Sequence, residues 1–334
     1  MKRPWLLPLS PLWAAGAAWK NRGFDQDPVK AKRLQRPVIS VGSLSAGGAG
    51  KTPFVIALGH ALQQVGISVD VLSRGYGRVD PQTPRRVDVT GSSDNFGDEP
   101  LLIAHALRAP VYVASRRLDA GRLAESDTAN DAAVHLLDDG FQHRQLARDV
   151  DIVLLTDQDV RDSLLPAGDL REPLESLRRA DIVVLRTEEA DALRPVIARV
   201  FGSATPPPIW QIERRVTLDR APVGHPLAFC GIARPEGFRA ALQGKGITPA
   251  GFVALRDHQR YDAATMSQLL HAAKRAGADG FVTTAKDAVK LVPERRAALE
   301  AVGPVAVADI VVHLTDEGQC MSTLERMLRG VASS

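Results

Sequence analysis

The chain has 334 residues, 45% hydrophobic and 24% charged, with a formal net charge of +3. Such a length exceeds what one hydrophobic core usually serves, and the composition is that of a soluble globular protein rather than a disordered or fibrous one. Two cysteines, Cys230 and Cys320, are too few for a disulfide framework and suit a reducing cytosol, and no Cys/His cluster has zinc spacing.

Residues 1–36 form the first segment. It carries eight Lys or Arg against two Asp, a net +6, whereas the remainder holds 34 basic and 37 acidic residues, a net −3. A basic arm on a slightly acidic body suits an anionic surface. Residues 4–20 read PWLLPLSPLWAAGAAWK and hold Trp5, Trp13 and Trp19. Lys2-Arg3 before an apolar run allows a signal peptide as one reading. Pro8 and Pro11 interrupt that run, and it falls short of the roughly 20 residues a spanning helix needs. Tryptophans among apolar residues, flanked by bases, predict a membrane-associating segment in the headgroup layer. The alternative is a tail that packs on its own domain.

From residue 37, short apolar runs alternate with helical ones. Strands are predicted over 38–41, 69–72, 111–113, 134–137, 152–155 and 182–185, and helices over 52–64 and 99–107. Pro53 falls near a helix start, where proline is tolerated. This pattern predicts an α/β fold, with a P-loop nucleotide-triphosphate-hydrolase-like core over 37–202 built on a parallel sheet. Residues 203–226, opening on SATPPP, read as a linker. A smaller C-terminal α/β domain is expected over 227–334, with strands at 227–231, 251–254, 281–284 and 305–312 and helices near 235–242 and 263–275.

The stretch VGSLSAGGAGKTP (41–53) lies between a predicted strand and a predicted helix. A P-loop aims backbone N–H groups and the helix dipole at phosphate. The usual G-x-x-x-x-G-K-[ST] pattern wants glycine at position 45, where this chain has Ser45. The expected ATP cradle is Ser45, Ala46, Gly47, Gly48, Ala49, Gly50, Lys51 and Thr52. Lys51 would reach the β and γ phosphates and Thr52 would hold Mg²⁺. A hydroxyl at position 45 is expected to add a donor near the phosphates. The rival reading is a Gly-rich turn with a chance Lys-Thr. Residues 133–139, AVHLLDD, form an apolar run ending in two carboxylates, and either Asp138 or Asp139 would help hold Mg²⁺. His135 inside the run reads as a core histidine. A GTPase would show D-x-x-G and N/T-K-x-D, and neither stands where it should, so a kinase of a small or lipid acceptor is preferred to a switch.

Eight stretches then carry a resemblance. They are VGSLSAGGAGKTP (41–53), SRGYG (73–77), GDEP (97–100), DDGFQHRQLARD (138–149), LPAGDLRE (165–172), FCGIARPEGF (229–238), DHQ (257–259) and TTAKDAVKL (283–291). In this order the chain resembles the tetraacyldisaccharide 4′-kinase family, the lipid A kinases of Gram-negative bacteria. The resemblance implies transfer of the ATP γ-phosphate to the 4′-hydroxyl of a tetraacyl glucosamine disaccharide 1-phosphate in lipid A biosynthesis. It implies an amphiphilic partner at the cytoplasmic face of the inner membrane; a monomer without a nucleic-acid partner is the accompanying expectation. It tolerates Ser or Thr at position 45.

The resemblance also implies roles. Glu172 joins Thr52 and Asp139 at the metal, and Arg171 neutralises phosphate charge. Asp98 stands beside His258 as the base for the sugar hydroxyl, so the catalytic set is Asp98, His258, Lys51, Asp138 and Asp139. Read without the resemblance, Arg171-Glu172 is a solvated helix start, Asp98 a helix N-cap and His258 a polar loop residue. If Asp98 and His258 act together, the two predicted domains must close on each other. Ala233 and Ala285 replace a usual glycine and a usual glutamate; Lys286 and Asp287 are left to either the nucleotide or the domain interface. Two further readings stand beside the lipid kinase: a P-loop kinase or ATPase acting on a soluble partner, and a nucleotide-binding regulatory module without turnover.

Overall fold

The computed structural model describes residues 3–27, 30–222 and 224–332. Lys2 and the side chain of Lys20, both part of the basic arm, lie outside the described residues. Among the described residues twelve strands form one sheet: β1 (Val38–Ser43), β2 (Val69–Ser73), β3 (Arg85–Arg86), β4 (Val111–Val113), β5 (Val134–Asp138), β6 (Val150–Leu154), β7 (Ile182–Arg186), β8 (Ile209–Leu218), β9 (Leu227–Cys230), β10 (Gly251–Ala254), β11 (Phe281–Thr284) and β12 (Val305–Leu314). Their order is β10-β9-β11-β12-β8-β7-β6-β1-β5-β2-β4-β3. Strands β1, β2, β5 and β6 are buried at every position, as the continuous apolar runs require of strands covered on both faces.

The segment expected as a linker contains β8. Its sequence, IWQIERRVTL, alternates only at its start and then places Glu213, Arg214 and Arg215 in succession. What makes it a strand is its partners. Residues 209–212 pair in parallel with β7, and residues 212–218 pair antiparallel with β12. Strand β12 in turn pairs in parallel with β11 through residues 305–308. The β8–β12 ribbon therefore joins two parallel sets of strands that run in opposite directions, and their carboxyl ends face each other. Ligands of open α/β sheets bind at carboxyl ends of strands.

Helix Lys51–Gln64 follows β1 and buries Phe54, Val55, Leu58, Ala61 and Leu62 along one face. Each of the larger ones, Phe54, Val55, Leu58 and Leu62, contributes about 1.5–3 kcal/mol on burial. Gly59 lies on the same face, where a methyl group would come within 2.7 Å of Leu107 Cδ2. This close approach seats helix Asp98–Leu107 directly against the P-loop helix.

The arm forms a 3₁₀ turn, Pro4–Leu9, and a helix, Ser10–Gln26. Polar groups dock it: Ser10 Oγ donates to the Leu164 carbonyl at 3.1 Å, Trp13 Nε1 to the Arg171 carbonyl at 3.0 Å, and Asp25 pairs with Arg144 at 2.6 Å. Its apolar side chains turn outward, with Trp5 75%, Leu12 70% and Trp19 81% exposed. Both readings of the arm thus find a counterpart, polar docking on its own core and an apolar face left uncovered. Among the described residues, no helix is long and apolar enough to cross a membrane.

Candidate active site

The P-loop leaves the carboxyl end of β1. Gly48 and Gly50 have φ of +76° and +87°, and both therefore need glycine. Ser45 does not share that geometry. The backbone around it pairs with residues 169–171: Ala46 N–H donates to the Asp169 carbonyl and Arg171 N–H to the Leu44 carbonyl, each at 2.8 Å. Position 45 sits in a short bridge that any residue adopts, so the missing glycine costs the loop nothing. The Ser45 hydroxyl is buried and faces the Gly47 carbonyl at 3.5 Å, at the limit of a hydrogen bond. It points back into its own loop, contrary to the expected extra donor for phosphate.

Strand β5 brings its two acids beside β1, with Asp138 in register with Val41. Gly42 makes that approach possible, since a methyl group there would fall 2.5 Å from Phe141 Cβ. The two carboxylates have opposite surroundings. Asp139, with a left-handed φ of +50°, accepts from Arg171 Nη1 at 2.8 and 3.0 Å and pairs with Lys51 Nζ at 3.4 Å. Burial pushes its carboxyl up, but Lys51, Arg171 and Arg117 outweigh burial and hold it below the usual carboxylate range. Asp138 is buried and accepts from the Ser73 hydroxyl at 3.1 Å. Burial, Glu99 and Asp139 push its carboxyl up to about 7. Lys51 also donates to Ser43 Oγ at 3.1 Å, so its ammonium is parked across the loop mouth.

Glu172 departs from expectation. Its Oε2 accepts from Arg179 at 2.6 Å and from Asn21 Nδ2 at 2.9 Å, and it is 3% exposed. Arg179 explains this: its guanidinium lies 4.4 Å over the Phe141 ring, and a half-buried cation is stabilised by a counter-charge. Among the described residues no cluster of three acidic, His or Cys side chains is arranged to hold a metal. Magnesium at phosphates is usually held by one or two protein groups plus phosphate and water, so Thr52 with one of the β5 acids suffices for it. Asp138, buried and in no ion pair among the described residues, fits that donor set better than Asp139, which two cations already satisfy.

Asp98 and His258 do meet. His258 Nδ1 lies 3.1 Å from Asp98 Oδ2, across the two halves of the sheet. The Lys286 ammonium stands 3.4 Å from Nε2 and can only donate. Nε2 is therefore the acceptor and Nδ1 carries the proton toward Asp98. His258 has a left-handed φ of +58°, a strained backbone for a non-glycine residue, and its ring packs 5.3 Å from that of Tyr76. Its side chain is 30% exposed against 12% for Asp98, which makes the imidazole the accessible member of the pair. It opens on a cavity of about 260 Å³ lined by Tyr76, Arg260, Lys290 and Arg295 among others.

Sequence reasoning missed Lys290, Arg117 and Gln142, and left the role of Lys286 open. Lys290, 3% exposed, pairs with Asp98 at 3.2 Å and with Asp287 at 3.1 Å. Burial raises the Asp98 carboxyl, but His258 and Lys290 outweigh it and hold Asp98 below the usual range. Lys286 reaches Glu99 and Asp257, both at 3.5 Å. Burial works against its charge, but Glu99, Asp257 and Asp98 hold the ammonium above its ordinary value. The TTAKDAVKL stretch therefore bridges the halves through its lysines. Only the Asp287–Lys290 spacing of three was a readable signal. Arg117, 6% exposed, is pushed down to about 10 by burial while facing Asp139 and Asp138. Gln142 accepts from Arg171 at 3.2 Å and donates to the Ser43 carbonyl at 3.0 Å, tying the acid turn to the loop.

Comparison with known proteins agrees with this geometry. The family model for LpxK, tetraacyldisaccharide-1-P 4′-kinase, matches residues 2–329. A tetraacyldisaccharide 4′-kinase of Koribacter versatilis is 45% identical over 293 residues, which is 85% of this chain and 88% of that one. The tetraacyldisaccharide 4′-kinase of Aquifex aeolicus is 36% identical over 306 residues, 87% of this chain and 90% of its own. The crystal structure of LpxK from Aquifex aeolicus in complex with ATP superposes with a TM-score of 0.77 at 33% identity, covering 97% of this chain and 98% of that one. A P-loop beside an acid strand, with a carboxylate–histidine pair that bridges the two halves of the sheet, is thus carried by a chain that belongs to the LpxK family of tetraacyldisaccharide 4′-kinases.

Proposed function

We propose that this chain transfers the γ-phosphoryl group of ATP to the 4′-hydroxyl of tetraacyldisaccharide 1-phosphate. The observation that carries the reading is that the P-loop half, which also bears Asp98, is faced by the opposite set of strand ends, whose His258 meets Asp98. Phosphoryl transfer needs positioning and charge neutralisation more than covalent chemistry. Lys51 leaves Asp139 and Ser43 to take the β and γ phosphates, and Arg171, held beside the loop by Asp139, meets the same charge. Thr52 and Asp138 would hold Mg²⁺, which neutralises charge developing on the phosphates when bound. His258 receives the hydroxyl proton at Nε2 once Lys286 moves off, and Asp98 holds the imidazole in the correct tautomer.

The acceptor is a lipid, and the arm suits it. Trp5, Leu12 and Trp19 project outward from an arm whose helix is pinned to residues 164–172 of the core. In this reading the chain sits as a monomer on the cytoplasmic face of the inner membrane, with these side chains at headgroup depth. Incubation with γ-labelled ATP and the 1-phosphorylated tetraacyl disaccharide tests the reaction. A chain that binds ATP and yields no 4′-phosphorylated product refutes it.

A further inference from the structure

We propose that Arg234 is a phosphate-contacting residue of the donor site, a guanidinium that the C-terminal half lays over the P-loop. This rests on the reading of the P-loop as the ATP site. The first observation is steric. A methyl group at Gly48 would fall 2.5 Å from Arg234 Cζ, 2.6 Å from Nη2 and 2.8 Å from Nε. Gly48, with φ of +76°, belongs to the loop whose N–H groups cradle phosphate, so the guanidinium fork lies against the anion-binding backbone itself.

The second observation is charge. Four cations of this region have carboxylates: Arg186 pairs with Glu189 at 2.9 Å, Arg214 with Glu188 at 3.8 Å, and both Lys51 and Arg171 with Asp139. Among the described residues none forms an ion pair with Arg234, and its charge adds to those repelling protons from Arg214, after burial and Arg186. A half-buried guanidinium pressed on a phosphate loop without a counter-ion is an unpaired charge that a triphosphate would complete.

The third observation is anchorage. Gly231 N–H, three residues before Arg234, donates to Asp287 Oδ2 at 2.9 Å, and Asp287 pairs with Lys290, which pairs with Asp98. One buried chain of charges therefore ties the loop bearing Arg234 to the acid that orients His258. The C-terminal half in this way supplies a group at each end of the transfer, Arg234 at the donor and His258 at the acceptor.

Calorimetry and competition against a fluorescent ATP analogue test this, using the full chain with Arg234→Ala, Arg234→Lys and, as a control, Arg239→Ala. Arg239 is half-exposed, pairs with Glu236 at 3.5 Å and lies over Phe252 away from the loop. Loss of a charge-assisted phosphate contact predicts ATP affinity about tenfold weaker in Arg234→Ala. Arg234→Lys is expected between that variant and wild type, and Arg239→Ala at the wild-type value. Adenosine, which has no phosphate, is expected to compete equally well with all four proteins. ATP affinity in Arg234→Ala within twofold of wild type overturns the proposal. So does an equal loss for ATP and adenosine, since that marks a structural role. A wild-type chain that binds ATP and leaves the lipid unphosphorylated counts against the lipid reading alone, because the binding comparison stands without the acceptor.

Discussion

Lys290→Met removes the cation at the centre of the bridge between the halves. The ammonium lies 3.2 Å from Asp98 Oδ2 and 3.1 Å from Asp287 Oδ1, in a side chain 3% exposed. At an effective dielectric of about 20, one such pair carries about 5 kcal/mol of Coulomb energy before desolvation is set against it. Breaking a buried pair by deleting one partner costs about 3–5 kcal/mol in practice. Asp98 keeps His258, and Asp287 keeps the Gly231 N–H and the Thr284 hydroxyl, so the expected loss is about 3 kcal/mol. At roughly 2 °C per kcal/mol for a chain of this size, Tm falls by about 6 °C. The pH dependence has a definite sign. Asp98 is a carboxylate held below its ordinary value by His258 and Lys290, so its stabilisation is present above the unfolded pKa and fades as pH falls through the folded one. The deficit of Lys290→Met is therefore greatest near neutrality and shrinks in the carboxylate range. The same loss raises Asp98, so the acid limb of the kcat/KM profile moves to higher pH. Scanning fluorimetry and a pH–rate series measure both. A Tm within about one degree of wild type, with superimposable acid limbs, would refute the bridge.

Four other predictions follow from particular contacts. His258→Ala is expected to lower kcat roughly 10²-fold at saturating substrates with ATP affinity intact; near-normal turnover removes it from proton transfer. Gly59→Val overpacks against Leu107 and should cost about 1–3 kcal/mol of stability, read from denaturant midpoints, while lowering kcat by displacing the helix that starts at Asp98. Trp5→Ser/Trp19→Ser changes two residues that are 75% and 81% exposed, so stability in solution holds within about 0.5 kcal/mol. Binding of the double variant to anionic phospholipid vesicles falls, and unchanged cosedimentation would count against the membrane seat. Ser45→Gly should alter ATP affinity less than about twofold, because the hydroxyl already faces its own loop at 3.5 Å.

The P-loop was legible because its determinants are local. An apolar run, glycines at 47, 48 and 50, and a helix with one buried face lie within a short stretch of chain. Strand β5 with its terminal acids was legible for the same reason. Strand β8 was not, because Glu213, Arg214 and Arg215 break the alternation and its pairing comes from β12, far along the chain. For Glu172 the motif was visible, but its pairing with the half-buried Arg179 over Phe141 was not, because Arg179 is placed by packing rather than by the motif.

By itself, then, the amino-acid sequence determined the α/β class, the phosphate loop, the acid strand and the family, since these rest on short-range spacing and on motifs read in order. Tertiary structure alone decided the electrostatics. Whether a carboxylate is neutralised, as Asp139 is by Lys51 and Arg171, or stranded, as Asp138 is, depends on which distant segments fold beside it. The same holds for Asp98, whose partners His258 and Lys290 arrive from the other half of the sheet. The physical reason is range. The P-loop and the helices are set largely by neighbours in sequence, whereas charge and the pairing of β8 act through space, and the reversal at the β8–β12 ribbon is what brings the two sets of strand ends face to face.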